Sequence, residues 1–401
     1  MKLSIYPSIA RGTVLAPPSK SYAHRILISS ALAGGETTVS KVAKSEDMYA
    51  TLDCIKTLGL DSSFSYGKVK FKKTDKQIGN RIFNCRESGS TLRFFIPIAL
   101  IEGGVCEFHG TERLISRGIS VYEDICKSQG IDVKYDKTKI TLNGKLRAGE
   151  FNVRGDISSQ FISGLMFALP LLNGDSVINI TTELESKPYI DITIDVLSKF
   201  GIEIAESEKS YYIKGNQKYR AQNMRVEGDF SNSAFLHAFN LLDGDVDVRG
   251  LRYCTLQGDS VYLKLFEQIS NGKIEADISS CPDLAPILFA LSGVKHGGYF
   301  VGTRRLKIKE SDRAEVMAQE LKKLGIDVIV GDNFVEVKKG SLHAPNEPLC
   351  GHNDHRIVMA LTVISTIMGA TIDGCEAVKK SYPDFFKIIK RLGVEVKNEA
   401  R

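Results

Sequence analysis

Leu197-Ser198-Lys199-Phe200-Gly201-Ile202-Glu203-Ile204 joins the end of a predicted helix to the start of a predicted strand. Apolar residues at helical spacing lead up to Gly201, and alternating apolar residues follow it. Glycine often ends a helix, because it adopts a left-handed backbone without steric cost. The stretch therefore predicts a helix, a glycine cap and a strand, in that order.

The same pattern returns along the chain, and its marker glycines are Gly59, Gly130, Gly201, Gly272, Gly325 and Gly393. The first four are 71 residues apart, and the last two intervals are 53 and 68 residues. Such regular spacing indicates a repeated structural unit, longer than the roughly 20 to 50 residues of solenoid repeats. We therefore expect six compact α/β units, each reading helix, glycine, strand, turn and strand.

Six units in 401 residues suggest two domains of three units each. The pattern breaks at residues 224–229, just before a new helix, which predicts one crossing between the domains. If the N-terminus completes the last unit, another crossing lies near residues 13–16. We therefore expect one domain at residues 14–227 and the other at residues 1–13 with 228–401, joined by a hinge because no low-complexity linker separates them.

The composition excludes several classes of protein. The chain is 43% hydrophobic and 25% charged, as in ordinary globular proteins. It lacks an apolar run of about eighteen residues and the apolar core of a secretory signal, so we expect a cytoplasmic location and no membrane contact. Eight cysteines and seven histidines are scattered without metal-ligand spacing, which predicts no metal site. The net charge of +5 is dispersed, which favours a small anionic substrate over nucleic acid.

Pro17-Pro18-Ser19-Lys20-Ser21-Tyr22-Ala23-His24-Arg25 is predicted to open a helix that runs to Leu32. The prolines favour an extended entry, and Ser19 is a suitable N-cap. Lys20 and Arg25 then lie near backbone N–H groups that have no intrahelical partner, and this combination favours an anion. The alternative is an ordinary capped surface helix with two solvated cations.

Other polar clusters fall at strand ends or helix starts of the predicted units. Their hydroxyl, amide and cationic groups suit phosphate and carboxylate oxygens. For each cluster the alternative is simple helix capping or a solvated charged face. The clusters lie at residues 87–93, 155–160, 186–191, 280–286, 304–313, 354–356 and 380–384.

Three side chains in these clusters are candidates for proton transfer. Asp283 lies between prolines and apolar residues, where a partly buried carboxylate can serve as a base. Glu310 lies among cations that would hold an anion while it passes a proton. His355 is a candidate by residue type, although a lone histidine is more often structural. Neither a G-x-x-x-x-G-K-[ST] loop nor a strand–G-x-G-x-x-G–helix motif is present.

Taken together, these motifs resemble those of the EPSP synthase family, the 3-phosphoshikimate 1-carboxyvinyltransferases. The resemblance runs from Pro17 to Asp384 and rests on P-S-K-S-Y-A-H-R, S-S-Q-F, S-K-P-Y-I-D, K-E-S-D-R and D-H-R, in that order. It implies an inverse α/β barrel of two domains, built from six βαβαββ repeats, with the active site in the cleft between the domains. The six marker glycines agree with that repeat number.

The resemblance also implies the reaction. The enolpyruvyl group of phosphoenolpyruvate passes to the 5-hydroxyl of shikimate 3-phosphate through a tetrahedral intermediate, and phosphate is released. No cofactor, metal or nucleic acid takes part, and the enzyme is expected to be a monomer whose partners are its two small substrates.

The matching motifs imply residues for three roles: binding shikimate 3-phosphate, binding phosphoenolpyruvate and transferring protons. Those for shikimate 3-phosphate are Lys20, Ser21, Arg25, Ser158, Ser159, Gln160, Ser186, Tyr189, Asp283 and Lys309. Those for phosphoenolpyruvate are Lys20, Gly89, Arg117, Gln160, Arg313, Arg356 and Lys380. Asp283 is implied as the base on the 5-hydroxyl, and Glu310 with Lys20 as the proton carriers at the enol methylene.

Two positions depart from many family members. Glu87-Ser88-Gly89-Ser90 stands where Asn-Ala-Gly-Thr is common, and Gly118 follows Arg117 where proline is common. Gly89 leaves room beside phosphoenolpyruvate, which predicts sensitivity to glyphosate. The glycine at position 118 predicts a more flexible loop.

Two alternatives stay open at this point. The sister enzyme that acts on UDP-N-acetylglucosamine shares the fold and the enolpyruvyl donor, but it usually carries a reactive cysteine in a loop corresponding to residues 110–117, which contain none here. A phosphate-binding or nucleic-acid-binding module without catalysis is the other alternative, and the dispersed charge argues against it.

Overall fold

The computed structural model describes residues 1–72 and 81–399, and the chain forms two compact units. One unit is Lys20–Glu227, and the other combines Met1–Ser19 with Gly228–Arg401. The later boundary follows residue 227 and the earlier one follows Ser19, whereas the sequence places the earlier boundary after residue 13. The reason is pairing: the strand Arg11–Leu15 lies in register beside Asp245–Arg249, and Pro18 bridges to Gly228.

Twenty-two strands form the sheets in the described part of the chain. They are β1 Leu3–Ile5, β2 Arg11–Leu15, β3 Thr37–Ser40, β4 Asp61–Ser65, β5 Lys68–Lys72, β6 Ile82–Asn84, β7 Val105–His109, β8 Asp132–Tyr135, β9 Lys139–Asn143, β10 Glu150–Val153, β11 Ser176–Ile180, β12 Ile204–Glu206, β13 Ser210–Ile213, β14 Met224–Arg225, β15 Asp245–Arg249, β16 Ile274–Asp277, β17 Gly298–Val301, β18 Val328–Val330, β19 Phe334–Val337, β20 Leu349–Cys350, β21 Ala370–Asp373 and β22 Val396–Asn398.

The described α-helices connect these strands. They are α1 Lys20–Leu32, α2 Glu46–Thr57, α3 Gly89–Ala99, α4 Glu112–Ser116, α5 Ser120–Gln129, α6 Ser159–Ala168, α7 Lys187–Lys199, α8 Phe230–His237, α9 Tyr262–Asn271, α10 Ala285–Val294, α11 Arg313–Lys322, α12 His355–Met368 and α13 Phe385–Arg391.

One sheet plan recurs five times. A first strand runs parallel to a second, which pairs antiparallel with a third, and the third pairs antiparallel with a fourth. Most of the parallel pairs are joined by a helix, as parallel neighbours require. The sheets are β14-β3-β5-β4, β6-β7-β9-β8 and β10-β11-β13-β12 in Lys20–Glu227, and β16-β17-β19-β18 and β20-β21-β1-β22 in the other unit.

The sixth sheet is shorter, since it contains only β15 and β2 in parallel. After Gly272 the chain passes directly into β16, the first strand of the next sheet, without an intervening hairpin. Gly272 is accordingly extended (φ 169°), whereas each of the five other marker glycines is left-handed, with φ between 69° and 96°. The prediction of strand, turn and strand after every marker glycine is therefore wrong at Gly272, and the missing hairpin explains the short 53-residue interval.

Each unit has a hydrophobic core of its own. In Lys20–Glu227, Phe94 of α3 packs edge-on against Phe167 of α6, with ring centroids 5.4 Å apart. In the other unit α10 buries nine of its ten residues. A helix that is apolar all round belongs inside a core, where each large side chain contributes about 1.5–3 kcal/mol. Burial of these helices fixes their first turns, at which the polar clusters lie.

A membrane span is not among the described helices, because none of them is both long and apolar enough to cross a bilayer. Six of the eight cysteines are buried, and Cys254 and Cys350 are exposed.

Candidate active site

The residues predicted for the site divide into two groups, one in each unit, and nearly all lie at or next to helix starts. Lys20–Glu227 contains Lys20, Ser21, Arg25, Gly89, Arg117, Ser158, Ser159, Gln160, Ser186 and Tyr189. The other unit contains Asp283, Lys309, Glu310, Arg313, Arg356 and Lys380.

Lys20 begins α1 and forms an ion pair. Its Nζ donates to Oδ2 of Asp47, in the first turn of α2, at 2.8 Å. Both side chains are largely buried, with exposed fractions of 17% and 12%. Asp47 was not predicted, since the contact joins residues far apart in sequence. The pair holds a protonated amine at the start of α1.

Ser19, the predicted cap, belongs to the other unit. Its hydroxyl donates to Oε1 of Gln257 at 3.3 Å, and Nε2 of Gln257 donates to the carbonyl of Gly228 at 2.8 Å. Ser19 therefore ties together the two segments at which the chain passes between units.

Arg25 is buried beneath two predicted ligand positions. Its Nε donates to Oγ1 of Thr193 at 2.7 Å, and Nη2 donates to Oγ of Ser163 at 3.3 Å. Nη1 and Nη2 also donate to the carbonyls of Ser21 and Tyr189, at 2.8 and 2.9 Å. Burial lowers the pKa of the guanidinium to about 10, so that it is still charged at neutral pH. A cation with neutral partners thus fixes the backbone of Ser21 and Tyr189.

The start of α6 carries the predicted pair of hydroxyls. Ser158 caps the helix, because its Oγ accepts from the backbone N–H of Gln160 at 3.3 Å, while Ser159 is buried. The Gln160 side chain accepts from Nη1 of Arg93 at 2.7 Å and donates to Oγ of Ser90 at 2.9 Å. Gln160 therefore links the start of α6 to that of α3.

Two guanidinium groups approach the start of α3. A Cβ atom added to Gly89 would lie 3.0 Å from both terminal nitrogens of Arg117 and 3.1 Å from Nη1 of Arg93. Gly89, Arg117 and Gln160 are therefore brought together, as their shared predicted role requires. Arg93 belongs to the predicted cluster at residues 87–93 but was not assigned to a substrate, although it lies one turn after Gly89 on the same helix. Two guanidinium groups beside a helix start suit a phosphate or carboxylate.

Gly118, which follows Arg117, has φ +68°. Proline is restricted to φ near −65°, so the loop of this chain takes a backbone conformation that a proline at this position could not adopt. The predicted flexibility of the loop is a separate property and stays a prediction.

Ser186 is left-handed (φ 57°) and buried where it precedes α7. A non-glycine residue in this conformation costs about 1–2 kcal/mol. Such strain is kept where the surrounding structure needs it. Tyr189, one turn later, is half-buried and accepts from Arg25 through its carbonyl.

Arg313 is the centre of the group in the other unit, and its side chain is only 1% exposed. Nη1 donates to Oδ1 of Asp283 at 2.7 Å, and Nη2 donates to Oε2 of Glu310 at 2.9 Å. Nε donates to Oδ2 of Asp354 at 2.8 Å. Burial alone would lower the pKa of Arg313, but the three carboxylates outweigh it and hold the pKa well above its ordinary value.

Asp283 is held by three cations. Besides Arg313, Nζ of Lys309 lies 3.2 Å from its Oδ1, and Nη2 of Arg356 donates to its Oδ2 at 3.2 Å. These cations favour the ionised carboxylate. The pKa of Lys309 is lowered, first by burial, although Asp283 opposes the shift. The apolar surroundings expected for Asp283 from sequence are thus replaced by a cationic cluster.

Asp354 organises the start of α12. It is fully buried, caps the helix by accepting from the N–H of Arg356 at 2.9 Å, and accepts from Oγ of Ser311 at 3.1 Å. Burial would raise the pKa of Asp354, but Arg313 outweighs it and the pKa is lowered. His355 is also buried, with Nδ1 3.8 Å from Oδ1 of Asp354.

The loop before Asp354 is clamped by a carboxylate that was not predicted. Glu320, buried on α11, accepts from the N–H of Cys350 at 2.9 Å and lies 2.8 Å from Nε2 of His352. His352 and Asn353 are both left-handed, with φ 46° and 51°. The carbonyl of Asn353 then accepts from Nζ of Lys380 at 2.6 Å. The clamp therefore positions a predicted ligand of phosphoenolpyruvate.

Comparison with known proteins gives consistent matches over nearly the whole chain. The family model of EPSP synthase (3-phosphoshikimate 1-carboxyvinyltransferase) matches residues 7–389. Relatives named 3-phosphoshikimate 1-carboxyvinyltransferase, from Clostridium kluyveri and Clostridium novyi, are each 41% identical. These alignments cover 98% of this chain and 98% and 97% of the relatives. The structure of EPSP synthase from Acinetobacter baumannii is similar in fold, with a TM-score of 0.78 at 20% identity, over 99% of this chain and 100% of that one.

Proposed function

The chain belongs to the EPSP synthase family, and on that premise we propose how its residues carry out the family's reaction. The enzyme transfers the enolpyruvyl group of phosphoenolpyruvate to shikimate 3-phosphate in the biosynthesis of aromatic compounds. We assign the 5-hydroxyl as the attacking group and a tetrahedral adduct as the intermediate.

The first task of the site is to hold two anions close together. Each substrate carries a phosphate and a carboxylate, and two like charges 4 Å apart repel by about 4 kcal/mol at an effective dielectric constant near 20. Cations at the helix starts would offset this repulsion. Uncompensated cations serve this purpose best, and Arg25, whose described acceptors are all neutral, is of that kind.

The proposed binding roles follow the motifs. In the first unit the hydroxyl and amide groups suit shikimate 3-phosphate, which accepts the enolpyruvyl group. The pair of guanidinium groups at Gly89 suits phosphoenolpyruvate, which donates it. Shikimate 3-phosphate is assigned to Lys20, Ser21, Arg25, Ser158, Ser159, Gln160, Ser186, Tyr189, Asp283 and Lys309. Phosphoenolpyruvate is assigned to Lys20, Gly89, Arg117, Gln160, Arg313, Arg356 and Lys380, and we add Arg93 because its Nη1 lies beside Gly89.

The observation that carries the proposed chemistry is that one guanidinium, that of Arg313, binds both carboxylates proposed to carry protons. Arg313 holds Asp283 through Nη1 at 2.7 Å and Glu310 through Nη2 at 2.9 Å. Two proton acceptors are thereby fixed on either side of a cation that suits the leaving phosphate.

The proton transfers balance as follows. Asp283 takes the proton of the 5-hydroxyl of shikimate 3-phosphate while the hydroxyl oxygen bonds to C2 of phosphoenolpyruvate. At the same time C3 of phosphoenolpyruvate gains a proton from Glu310 or Lys20. In elimination, C3 returns that proton, the double bond forms again, and phosphate leaves with the electron pair of its C–O bond and takes up the proton that Asp283 received.

A phosphate-release assay tests the function. We expect release from phosphoenolpyruvate with shikimate 3-phosphate as acceptor and none with UDP-N-acetylglucosamine. No release with shikimate 3-phosphate would refute the proposal, and release only with the nucleotide sugar would favour the sister enzyme. A monomer in the cytoplasm stays part of the proposal, and light scattering after size-exclusion chromatography tests the monomer.

A further inference from the structure

The outer face of the sheet β14-β3-β5-β4 carries a row of cations and hydroxyls. In the ladder, Ser40 lies between Arg225 and Lys68, and Thr38 lies opposite Lys70. Residues opposite each other in a ladder share a face. The intervening residues of β3 and β5, such as Val39 and Val69, are fully buried on the other face. The alternation therefore directs the cations outward together.

These side chains line a surface groove with a volume of about 840 Å³. Lys41 adds a fourth cation, and Tyr66, a residue that is 96% exposed, also lines the groove. Both residues are left-handed, with φ 58° and 47°. The groove is lined by Thr38, Ser40, Lys41, Tyr66, Gly67, Lys68, Lys70, Asn223, Met224 and Arg225, none of which is a proposed active-site residue.

The matching sheets of the same chain provide an internal comparison. In β6-β7-β9-β8, Lys139 pairs with Glu107 at 2.9 Å, and beside β16-β17-β19-β18, Lys273 pairs with Glu336 at 3.2 Å. Within residues 1–72 and 81–399, by contrast, no carboxylate lies within 4.0 Å of the cationic groups of Lys41, Lys68, Lys70 or Arg225. Four neighbouring cations without an acidic partner among these described residues repel one another, and an anionic ligand would reduce that repulsion.

We propose that this groove binds a small phosphate-bearing ligand with an aromatic ring, of the nucleoside polyphosphate class. The cations and the hydroxyls of Thr38 and Ser40 suit phosphate oxygens. The exposed ring of Tyr66 offers a stacking surface for a base. The volume lies within the range of about 300–1,000 Å³ common for small-molecule sites.

Isothermal titration calorimetry with ATP, inorganic tripolyphosphate and adenosine tests the proposal. Lys68→Gln combined with Lys70→Gln removes two groove charges, and we expect the dissociation constant of ATP to rise about tenfold or more. The matched control, Lys139→Gln with Lys273→Gln, removes the same charge from the corresponding sheets and leaves ATP binding unchanged. Tyr66→Ala weakens ATP about fivefold or more but does not change tripolyphosphate binding. All variants keep the wild-type kcat and KM for both substrates, which also reports that they fold.

Several results would overturn the proposal. Equal weakening in both double variants would mean diffuse attraction to a basic protein. The absence of ATP binding, or an unchanged affinity in the groove variants, would remove the site. Binding of a single-stranded oligonucleotide of about eight nucleotides at this groove without binding of ATP would assign it to nucleic acid instead.

Discussion

Arg25 and Arg313 are both buried arginines near helix starts, but their partners differ in kind. Arg25 donates to hydroxyl and carbonyl oxygens of Ser21, Ser163, Tyr189 and Thr193, and its pKa falls to about 10. Arg313 donates to three carboxylates, and its pKa rises. The first arrangement leaves positive charge that a substrate can neutralise. The second compensates the charge with carboxylates, two of which, Asp283 and Glu310, are the proposed proton carriers.

Asp354→Asn gives the largest expected effect on stability. Asparagine keeps the shape and can still cap α12, so the change removes chiefly the charge that compensates buried Arg313. We expect a loss of about 3–5 kcal/mol in the free energy of unfolding, measured by denaturant unfolding. Thr193→Val is the matched change at Arg25, with an expected loss of about 1–3 kcal/mol. Equal losses would abolish the contrast between the two arginines.

Lys20→Met tests the first unit by activity instead of stability. It removes a cation at the start of α1 and keeps most of the length of the side chain. Loss of one electrostatic contact to a reacting group lowers kcat by about 100- to 1,000-fold, which phosphate release measures. A circular dichroism spectrum like that of the wild type would show that the fold survives. Near-normal turnover would remove Lys20 from the site.

Gly89→Ala tests the pair of guanidinium groups in the first unit. The new methyl group would press on the guanidinium ends of Arg117 and Arg93, which can shift because they are the far ends of flexible side chains. We expect the KM for phosphoenolpyruvate to rise about tenfold and glyphosate inhibition to weaken, with a stability change of about 1 kcal/mol or less. Glyphosate inhibition as strong as in the wild type would contradict this assignment.

The pH dependence of the free energy of unfolding should also differ between the regions around Arg25 and Arg313, and we expect this effect to be the smallest. The pKa of Asp354 is lower in the folded protein than in the unfolded chain, so its stabilising effect is complete above about pH 4 and is lost as the pH falls further. Denaturant unfolding at pH 7 and pH 3 should therefore show the gap between wild type and Asp354→Asn shrinking in acid. A gap that stays constant would mean that the carboxylate charge is not what stabilises Arg313.

Local signals were enough to predict the repeat and the helix starts. A glycine after an apolar helical pattern is explained by local structure, because it ends the helix in a left-handed conformation. Five of the six marker glycines are left-handed, as this explanation requires. The short interval between Gly272 and Gly325 indicated that this unit differs from the others. The length of the interval alone does not say which strands are missing. Asp47 and Glu320 were not predicted, and Arg93 was not assigned a role, for another reason. Their partners are 27, 32 and 67 residues away, and only the folded chain brings them together.

The position of β1 has a consequence for biosynthesis. Leu3–Ile5 lies between β21 and β22, and Leu3 pairs with Ile372 and Asn398. A ribosome makes Leu3 hundreds of residues before either partner, and the whole of Lys20–Glu227 emerges in between. Domains generally fold as they emerge from the ribosome. Lys20–Glu227 can therefore complete its core while Leu3 and Ile5 are still unpaired and in contact with solvent or a chaperone. The other unit can complete the sheet that contains β1 only after β21 and β22 have been made.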